Sequence, residues 1–143
     1  WGINVLASME SLISDIIIDT EDHDRALAGL AMTYQRATMR KHTKGGYANV
    51  LDELWKVCAL YDADMVLMYD QISCKGMDGL RGVFEEQAAA RGVHMLWVSQ
   101  DLMDARTISK RDMRRQVNLY MQTVMGEEPL RPDLLDFDDA LTW

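Results

Sequence analysis

Apolar and polar positions along the chain follow two different periods in turn. Apolar residues recur at helical spacing over residues 5–13, and a short β-branched run bounded by aspartates follows at residues 15–19. We expect a helix over the first stretch and a buried strand over the second. Residues 22–41 are rich in good helix formers and are followed by a glycine pair, which predicts a second helix that ends in a glycine loop.

The same alternation continues through the rest of the chain. Residues 50–61 predict a helix with one apolar face, formed by Val50, Leu54, Val57, Cys58 and Tyr61. The pattern then predicts a strand at residues 65–69, a helix at residues 80–91 with a left-handed cap at Gly92, and a strand at residues 93–99. A last helix begins at a cap, Thr107 or Ser109, and ends near Gly126.

This order of elements predicts the fold class. The strands are continuous apolar runs rather than alternating patterns, which is typical of parallel sheets covered on both faces. We therefore predict a three-layer α/β domain over residues 1–126, with a small parallel sheet flanked by helices in a flavodoxin-like or Rossmann-like arrangement. Residues 127–143 are predicted to form an acidic carboxyl-terminal arm that packs on this domain, on another part of the protein or on another subunit.

Composition limits the binding partners and the cellular compartment that we expect. The chain has 143 residues and a net charge of −8, which opposes binding to nucleic-acid phosphates and to anionic lipid. No apolar run approaches the ~20 residues that cross a bilayer, so no membrane partner is expected. Two cysteines without a secretory leader indicate a reducing, cytoplasmic environment. Because the first residue is Trp1 rather than methionine, we expect a fragment of a longer polypeptide or a processed product.

Cys74 is the candidate functional residue, because it follows a predicted buried strand at the start of a loop. In open α/β sheets ligands bind at the carboxyl ends of strands, which is where this thiol is expected. Lys75 adds positive charge beside Cys74 at the start of the next helix, so a nucleophilic cysteine is one interpretation. The other is a small, buried apolar side chain, which cysteine often is.

Three segments carry a resemblance to a known family. Residues 61–75 are YDADMVLMYDQISCK, residues 91–98 are RGVHMLWV and residues 101–106 are DLMDAR. Together they resemble the carboxyl-terminal domain of the 2-hydroxyacyl-CoA dehydratase and benzoyl-CoA reductase family. The resemblance covers residues 61–125 and is strongest around Cys74 and in the DLMDAR segment, which is closer to the dehydratase branch.

The resemblance implies one subunit of a heterodimeric, oxygen-sensitive enzyme that holds a 4Fe-4S cluster through cysteine thiolates. Its implied partners are an acyl-CoA substrate, a second dehydratase subunit and an ATP-hydrolysing activator protein that delivers one electron. Reduction of the thioester carbonyl would give a ketyl radical that expels the neighbouring hydroxyl group as water. Cys74 matches the cluster ligand of this domain, whereas the family's other ligands lie in an upstream domain and Cys58 falls on a buried helix stripe. The chain alone is therefore expected to be metal-free and inactive.

Other residues near Cys74 have two interpretations each. Ser73 and Lys75 could donate hydrogen bonds toward cluster sulfurs. Asp101, Asp104 and Arg106 could shape the substrate or cluster pocket, or they could cap the next helix and pair with one another to hold the loop. An aromatic-ring reductase subunit and a non-catalytic ligand-binding or assembly domain remain alternative functions.

Overall fold

The chain divides into two compact units. The computed structural model describes residues 1–8, 17–36, 44–104, 106–107 and 109–136. The strand unit comprises Trp1–Asn4 and Asp64–Trp143, and the helical unit comprises Val5–Ala63.

The helical unit contains α1 (His23–Arg36) and α2 (Tyr47–Tyr61). α1 begins after Asp22, whose Oδ1 accepts a 2.8 Å hydrogen bond from the Arg25 backbone N–H. The helix predicted for residues 22–41 is thus present as far as Arg36, and residues 37–43 lie outside the described part of the chain.

α2 carries the buried face of the helical unit. Its buried side chains are Val50, Leu51, Leu54, Trp55 and Cys58. Positions three and four residues apart share one side of a helix, so the predicted apolar face is confirmed at Val50, Leu54 and Cys58. Val57 is half-buried, and Tyr61, the last residue of the helix before the left-handed Asp62 (φ of 50°), is exposed.

The strand unit is built on a two-stranded parallel sheet. β1 (Met65–Gln71) pairs with β2 (His94–Gln100) in a register that runs from Met65↔His94 to Gln71↔Gln100. Both predicted strands are present, each within two residues of its predicted ends. A parallel pair requires a crossover connection, and here that connection is helical.

Three helices of the strand unit accompany this sheet: α3 (Lys75–Asp78), α4 (Arg81–Arg91) and α5 (Lys110–Thr123). α3 and α4 form the crossover between the strands, and α5 follows β2. α4 ends at the predicted left-handed cap, since Gly92 has φ of 69°. The predicted α/β class, with a small parallel sheet flanked by helices, is confirmed. Within the described ranges, no helix has both the length and the apolar content needed to cross a bilayer.

Packing of α4 on β2 forms the centre of the strand-unit core. Leu96, Trp97 and Val98 of β2 are buried, and Phe84 of α4 is fully buried. The rings of Phe84 and Trp97 meet edge to face, with centroids 5.9 Å apart and planes at 72°. Such aromatic pairs contribute about 0.5–1.5 kcal/mol beyond the area that they bury.

The last helix begins at one of its two predicted caps. The Ser109 Oγ accepts a 3.2 Å hydrogen bond from the Asp112 backbone N–H, which satisfies a free donor at the start of α5. Thr107 therefore does not cap this helix. α5 contacts β2 and buries Met121.

The described part of the predicted carboxyl-terminal arm returns to α5. Asn118 of α5 donates through Nδ2 to the Leu135 carbonyl at 3.2 Å and accepts a 2.8 Å hydrogen bond from Trp1 Nε1. The Glu127 backbone N–H also donates to the Met121 carbonyl at 3.0 Å. The arm thus contacts its own strand unit as far as the structure describes it, and residues 137–143 lie outside that range.

The helix and strand predicted near the amino terminus are wrong where the structure describes them. Residues 5–8 and 17–20 have no regular secondary structure, and residues 9–16 lie outside the described ranges. Ile17 is 94% exposed, while Ile18 lies beside Gly29 of α1. Strand propensity depends on packing against neighbouring strands, and in the described sheet β1 and β2 pair with each other.

Candidate functional site

The candidate residues gather at the carboxyl edge of the two-stranded sheet. Gln71 and Gln100 end the two strands opposite each other, and the Ile72 backbone N–H donates to the Gln100 carbonyl at 3.1 Å. Cys74 lies three residues beyond β1, and residues 101–104 and 106–107 lie in the loop that follows β2. Because the strands are parallel and in register, both loops leave the sheet at the same edge.

The Cys74 backbone is held on both sides. Its N–H donates to the Gln71 carbonyl at 2.7 Å, and its own carbonyl accepts from Met77 and Asp78 at 3.0 and 3.1 Å. The residue immediately precedes α3, and its free thiol is half-buried. This position is neither a packed core site nor a fully exposed one, so the thiol stands at the edge of the sheet on a defined turn.

Asp78, the last residue of α3, lies near Asp70 of β1. The pKa of Asp78 is raised above its ordinary value, chiefly because its side chain hydrogen-bonds the carboxyl group of Asp70 in β1. Asp70 Oδ1 is buried and has no hydrogen-bond partner among the described residues. A carboxyl group of the Cys74 turn thus lies beside one of the strand, and a negative charge on Asp78 is disfavoured there.

The two residues that flank Cys74 in sequence are exposed. The Ser73 Oγ accepts a 3.1 Å hydrogen bond from Gln71 Nε2, which orients this hydroxyl toward the end of β1. Lys75 is the first residue of α3, and its carbonyl accepts from the Gly79 N–H at 3.1 Å. Both side chains are close in sequence to the thiol, and the bond from Gln71 ties Ser73 to the strand end.

Asp101 organises the loop that follows β2. Its Oδ1 accepts from the backbone N–H groups of Met103 and Asp104 at 2.9 and 3.3 Å, and its Oδ2 accepts from Thr107 Oγ1 at 2.9 Å. These bonds, with that of Met103 the largest cause, hold the pKa of Asp101 below its ordinary value. The carboxylate is therefore a loop-forming group in this structure.

Asp104 and Arg106 pair with each other. Arg106 donates through Nε to Asp104 Oδ1 at 2.8 Å and through a terminal nitrogen to Oδ2 at 2.7 Å, a bidentate arrangement. The ion pair lowers the pKa of Asp104 and raises that of Arg106. Of the two interpretations of these residues, pairing within the loop is the arrangement present, while Ser109 rather than an aspartate caps α5.

Gln71 is a site residue that sequence reasoning missed. Its Nε2 reaches both Ser73 Oγ at 3.1 Å and Asp101 Oδ1 at 3.3 Å, while its Oε1 accepts a 2.8 Å bond from the Leu102 N–H. One side chain thus contacts the Cys74 turn and the loop after β2. The available signal was a pair of polar residues, Asp70 and Gln71, at the end of a strand that begins as an apolar run.

Acidification is expected to release the Asp101 loop. Because the folded-state pKa of Asp101 is depressed, its stabilising contribution is present above the ordinary aspartate pKa of about 4 and is lost as the pH falls through the lower folded value. Hydrogen exchange at the Met103 N–H, corrected for intrinsic rate, should accelerate on acidification below pH ~4. Asp101→Asn should remove this step, whereas Asp52→Asn on α2 should leave it intact. A step that persisted in Asp101→Asn would assign the loop's acid sensitivity to another group.

The second cysteine belongs to the other unit. Cys58 is buried in α2 of the helical unit, and burial raises the pKa of its thiol. Across the described residues, no group of three or more His, Cys, Asp or Glu side chains is placed to hold a metal ion. The described edge of the sheet therefore offers one thiol, that of Cys74.

At this edge, the Cys74 thiol can act either as a single metal ligand or as a nucleophile. It lies between the end of β1 and α3, near the loop that follows β2. Thiolate sulfur binds iron and zinc and also attacks electrophiles, so the chemistry depends on what else approaches the edge. Comparison with protein-family models, with curated proteins and with solved structures found no match to this chain.

Proposed function

We propose that this chain is part of an iron-sulfur subunit of a 2-hydroxyacyl-CoA dehydratase, in which Cys74 supplies one thiolate ligand of a 4Fe-4S cluster. The observation that carries the proposal is the position of Cys74, a half-buried free thiol at the carboxyl edge of a parallel sheet. This edge is where α/β folds place their ligands. The resemblance of residues 61–75 and 101–106 to that family supplies the choice of ligand.

The described residues do not fit a complete cluster by themselves. Such clusters are held by several cysteine thiolates, and this edge offers one. The proposal therefore assigns the remaining ligands to polypeptide outside the described residues, and the 143-residue chain alone should bind no cluster. When bound, the cluster would supply the low-potential electron for elimination of water from a 2-hydroxyacyl-CoA.

The same proposal names the partners and the compartment. An acyl-CoA substrate, a second dehydratase subunit and an ATP-hydrolysing activator protein are the partners that such an enzyme needs. The cytoplasm is the proposed location, because exposed low-potential clusters require a reducing environment. Ring reductases of the benzoyl-CoA type would use a similar subunit, and the DLMDAR segment favours the dehydratase.

One feature favours a second candidate, a non-catalytic assembly domain. α1 buries none of its side chains and leaves Leu27, Leu30 and Tyr34, which share one side of the helix, exposed. Apolar stripes that face solvent are typical of protein interfaces. In this alternative Cys74 holds no iron.

Anaerobic reconstitution with iron and sulfide separates the two candidates. The full-length natural polypeptide with its partner subunit should develop the visible absorption of a 4Fe-4S cluster, and Cys74→Ala should lose most of it because one ligand is missing. Bound iron and acid-labile sulfide should fall in parallel. Cys58→Ala is the matched control, since this buried thiol of α2 is not a proposed ligand.

Equal cluster content in wild type and Cys74→Ala would overturn the ligand assignment. Absence of iron from the wild-type assembly, with the subunit association intact, would instead favour the assembly domain. The circular dichroism of both alanine variants should match the wild type, so that loss of iron is separated from loss of fold.

A further inference from the structure

We propose that Gln71 is a positioning residue that couples the turn carrying Cys74 to the loop after β2. This inference goes beyond the iron-ligand proposal and holds whether or not iron binds. It rests on the hydrogen bonds of one side chain and on the place of that side chain at the end of β1.

The backbone and the side chain of Gln71 hold the Cys74 turn together. The Gln71 carbonyl accepts from the Cys74 N–H at 2.7 Å, and the Gln71 Nε2 donates to the Ser73 Oγ at 3.1 Å. The two bonds reach consecutive residues of the turn from one strand-end residue. A change in the Gln71 side chain therefore alters a hydrogen bond to Ser73, the residue next to Cys74.

The same amide group holds the loop after β2. Its Oε1 accepts from the Leu102 N–H at 2.8 Å, and its Nε2 donates to Asp101 Oδ1 at 3.3 Å. Asp101 in turn accepts hydrogen bonds from the Met103 N–H and the Thr107 hydroxyl, which restrain its own loop. An amide is suited to this bridge, because it donates and accepts at the same time.

The neighbouring strand provides a matched position without the bridge. Gln100 ends β2 opposite Gln71, has the same side chain and is half-buried as well. Its side chain makes no hydrogen bond to another described residue, although its backbone carbonyl accepts from Ile72. The two glutamines thus separate the effect of the bridge from the effect of residue type and strand position.

Alkylation of Cys74 by iodoacetamide, with the natural full-length polypeptide free of iron, tests the coupling. Gln71→Met keeps the side-chain length and removes its hydrogen bonds, and we expect the Cys74 rate to rise about fivefold, the population change set by one lost hydrogen bond. Leu102 should lose hydrogen-exchange protection in the same variant. Gln100→Met should change neither measurement.

Two further measurements distinguish coupling of the two loops from a general weakening of the sheet. If Gln71→Met only weakened the sheet, the amides of Leu96 and Val98 in β2 would lose protection along with Leu102. Gln71→Glu retains an acceptor for the Leu102 N–H and can accept a hydrogen bond from the Ser73 hydroxyl, but it cannot donate to Asp101 and brings a second carboxylate beside it. It should therefore keep part of the Leu102 protection, and its Cys74 alkylation rate should rise less than that of Gln71→Met, because a bond to Ser73 is kept.

An unchanged Cys74 rate in Gln71→Met would overturn the coupling, as would equal effects of Gln71→Met and Gln100→Met. Because the readouts need no metal, failure of cluster reconstitution leaves this inference standing. Conversely, the cluster could depend on Cys74 while Gln71→Met leaves Cys74 alkylation unchanged. That result would support the iron proposal and overturn the coupling.

Discussion

Phe84→Ala is expected to destabilise the strand unit by about 3–5 kcal/mol, the usual cost of emptying a phenylalanine site in a packed core. Phe84 is 0% exposed, and its ring contacts Trp97 edge to face at a centroid distance of 5.9 Å. The substitution removes the buried ring, leaves a cavity between α4 and β2 and breaks the aromatic pair. Since native domains are stable by only about 5–15 kcal/mol, a large part of the total is lost.

Urea denaturation followed by far-ultraviolet circular dichroism measures this change. Tyr69→Ala is the control, because it also removes an aromatic ring from the strand unit but at a side chain that is 59% exposed. This control should cost less than about 1 kcal/mol, mainly through strand propensity. Equal costs for the two substitutions would show that Phe84 does not fill the core of this unit.

Leu54→Ala is expected to cost about 2–4 kcal/mol, the second-largest effect. Leu54 is 5% exposed and lies on the buried face of α2 with Val50 and Cys58. Alanine is the better helix former, so the loss measures burial and the cavity left behind rather than helix propensity.

Leu60→Ala offers a control in the same helix. Leu60 is 76% exposed, and its removal should change the free energy of unfolding by less than about 0.5 kcal/mol. The same urea titration serves, with the α2 amides followed by hydrogen exchange so that the helical unit is observed directly. A Leu60→Ala variant as unstable as Leu54→Ala would contradict the assignment of the buried face.

Local patterns were sufficient for elements whose sequence signal and packing agree. The parallel strands were foreseen because residues 65–69 and 93–99 are short apolar runs bounded by loop signals. Gly92 was foreseen as a cap, since glycine readily adopts the positive φ that ends α4. The spacing of Val50, Leu54 and Cys58 likewise predicted the buried face of α2.

The amino-terminal run shows where local patterns fail. Ile17 and Ile18 have strong strand propensity, yet they form no strand in the described structure. A strand requires hydrogen bonds to a neighbour, and nothing in the residues themselves states whether one is present. The 94% exposure of Ile17 follows from the tertiary arrangement, not from its side chain.

At the candidate site, the sequence by itself determined which groups stand at the strand ends. Cys74, Asp101, Asp104 and Arg106 follow apolar runs, and parallel topology brings the loops after such runs to one edge. Their bonding partners were decided only by the tertiary structure. Both interpretations of the two aspartates fitted the sequence, because a carboxylate can serve a ligand or its own loop.

Gln71 shows the same contrast between what the sequence determines and what the tertiary structure decides. In the sequence it is only the second of two polar residues, after Asp70, that end a mostly apolar strand, and no motif singles it out. Its role depends on the 2.8 and 3.3 Å bonds to a loop that begins 30 residues later in the sequence. The sequence determined the periodic elements, since these follow from neighbours along the chain. Only the fold decided the bridge between loops, because hydrogen bonds between distant residues depend on their separation in space.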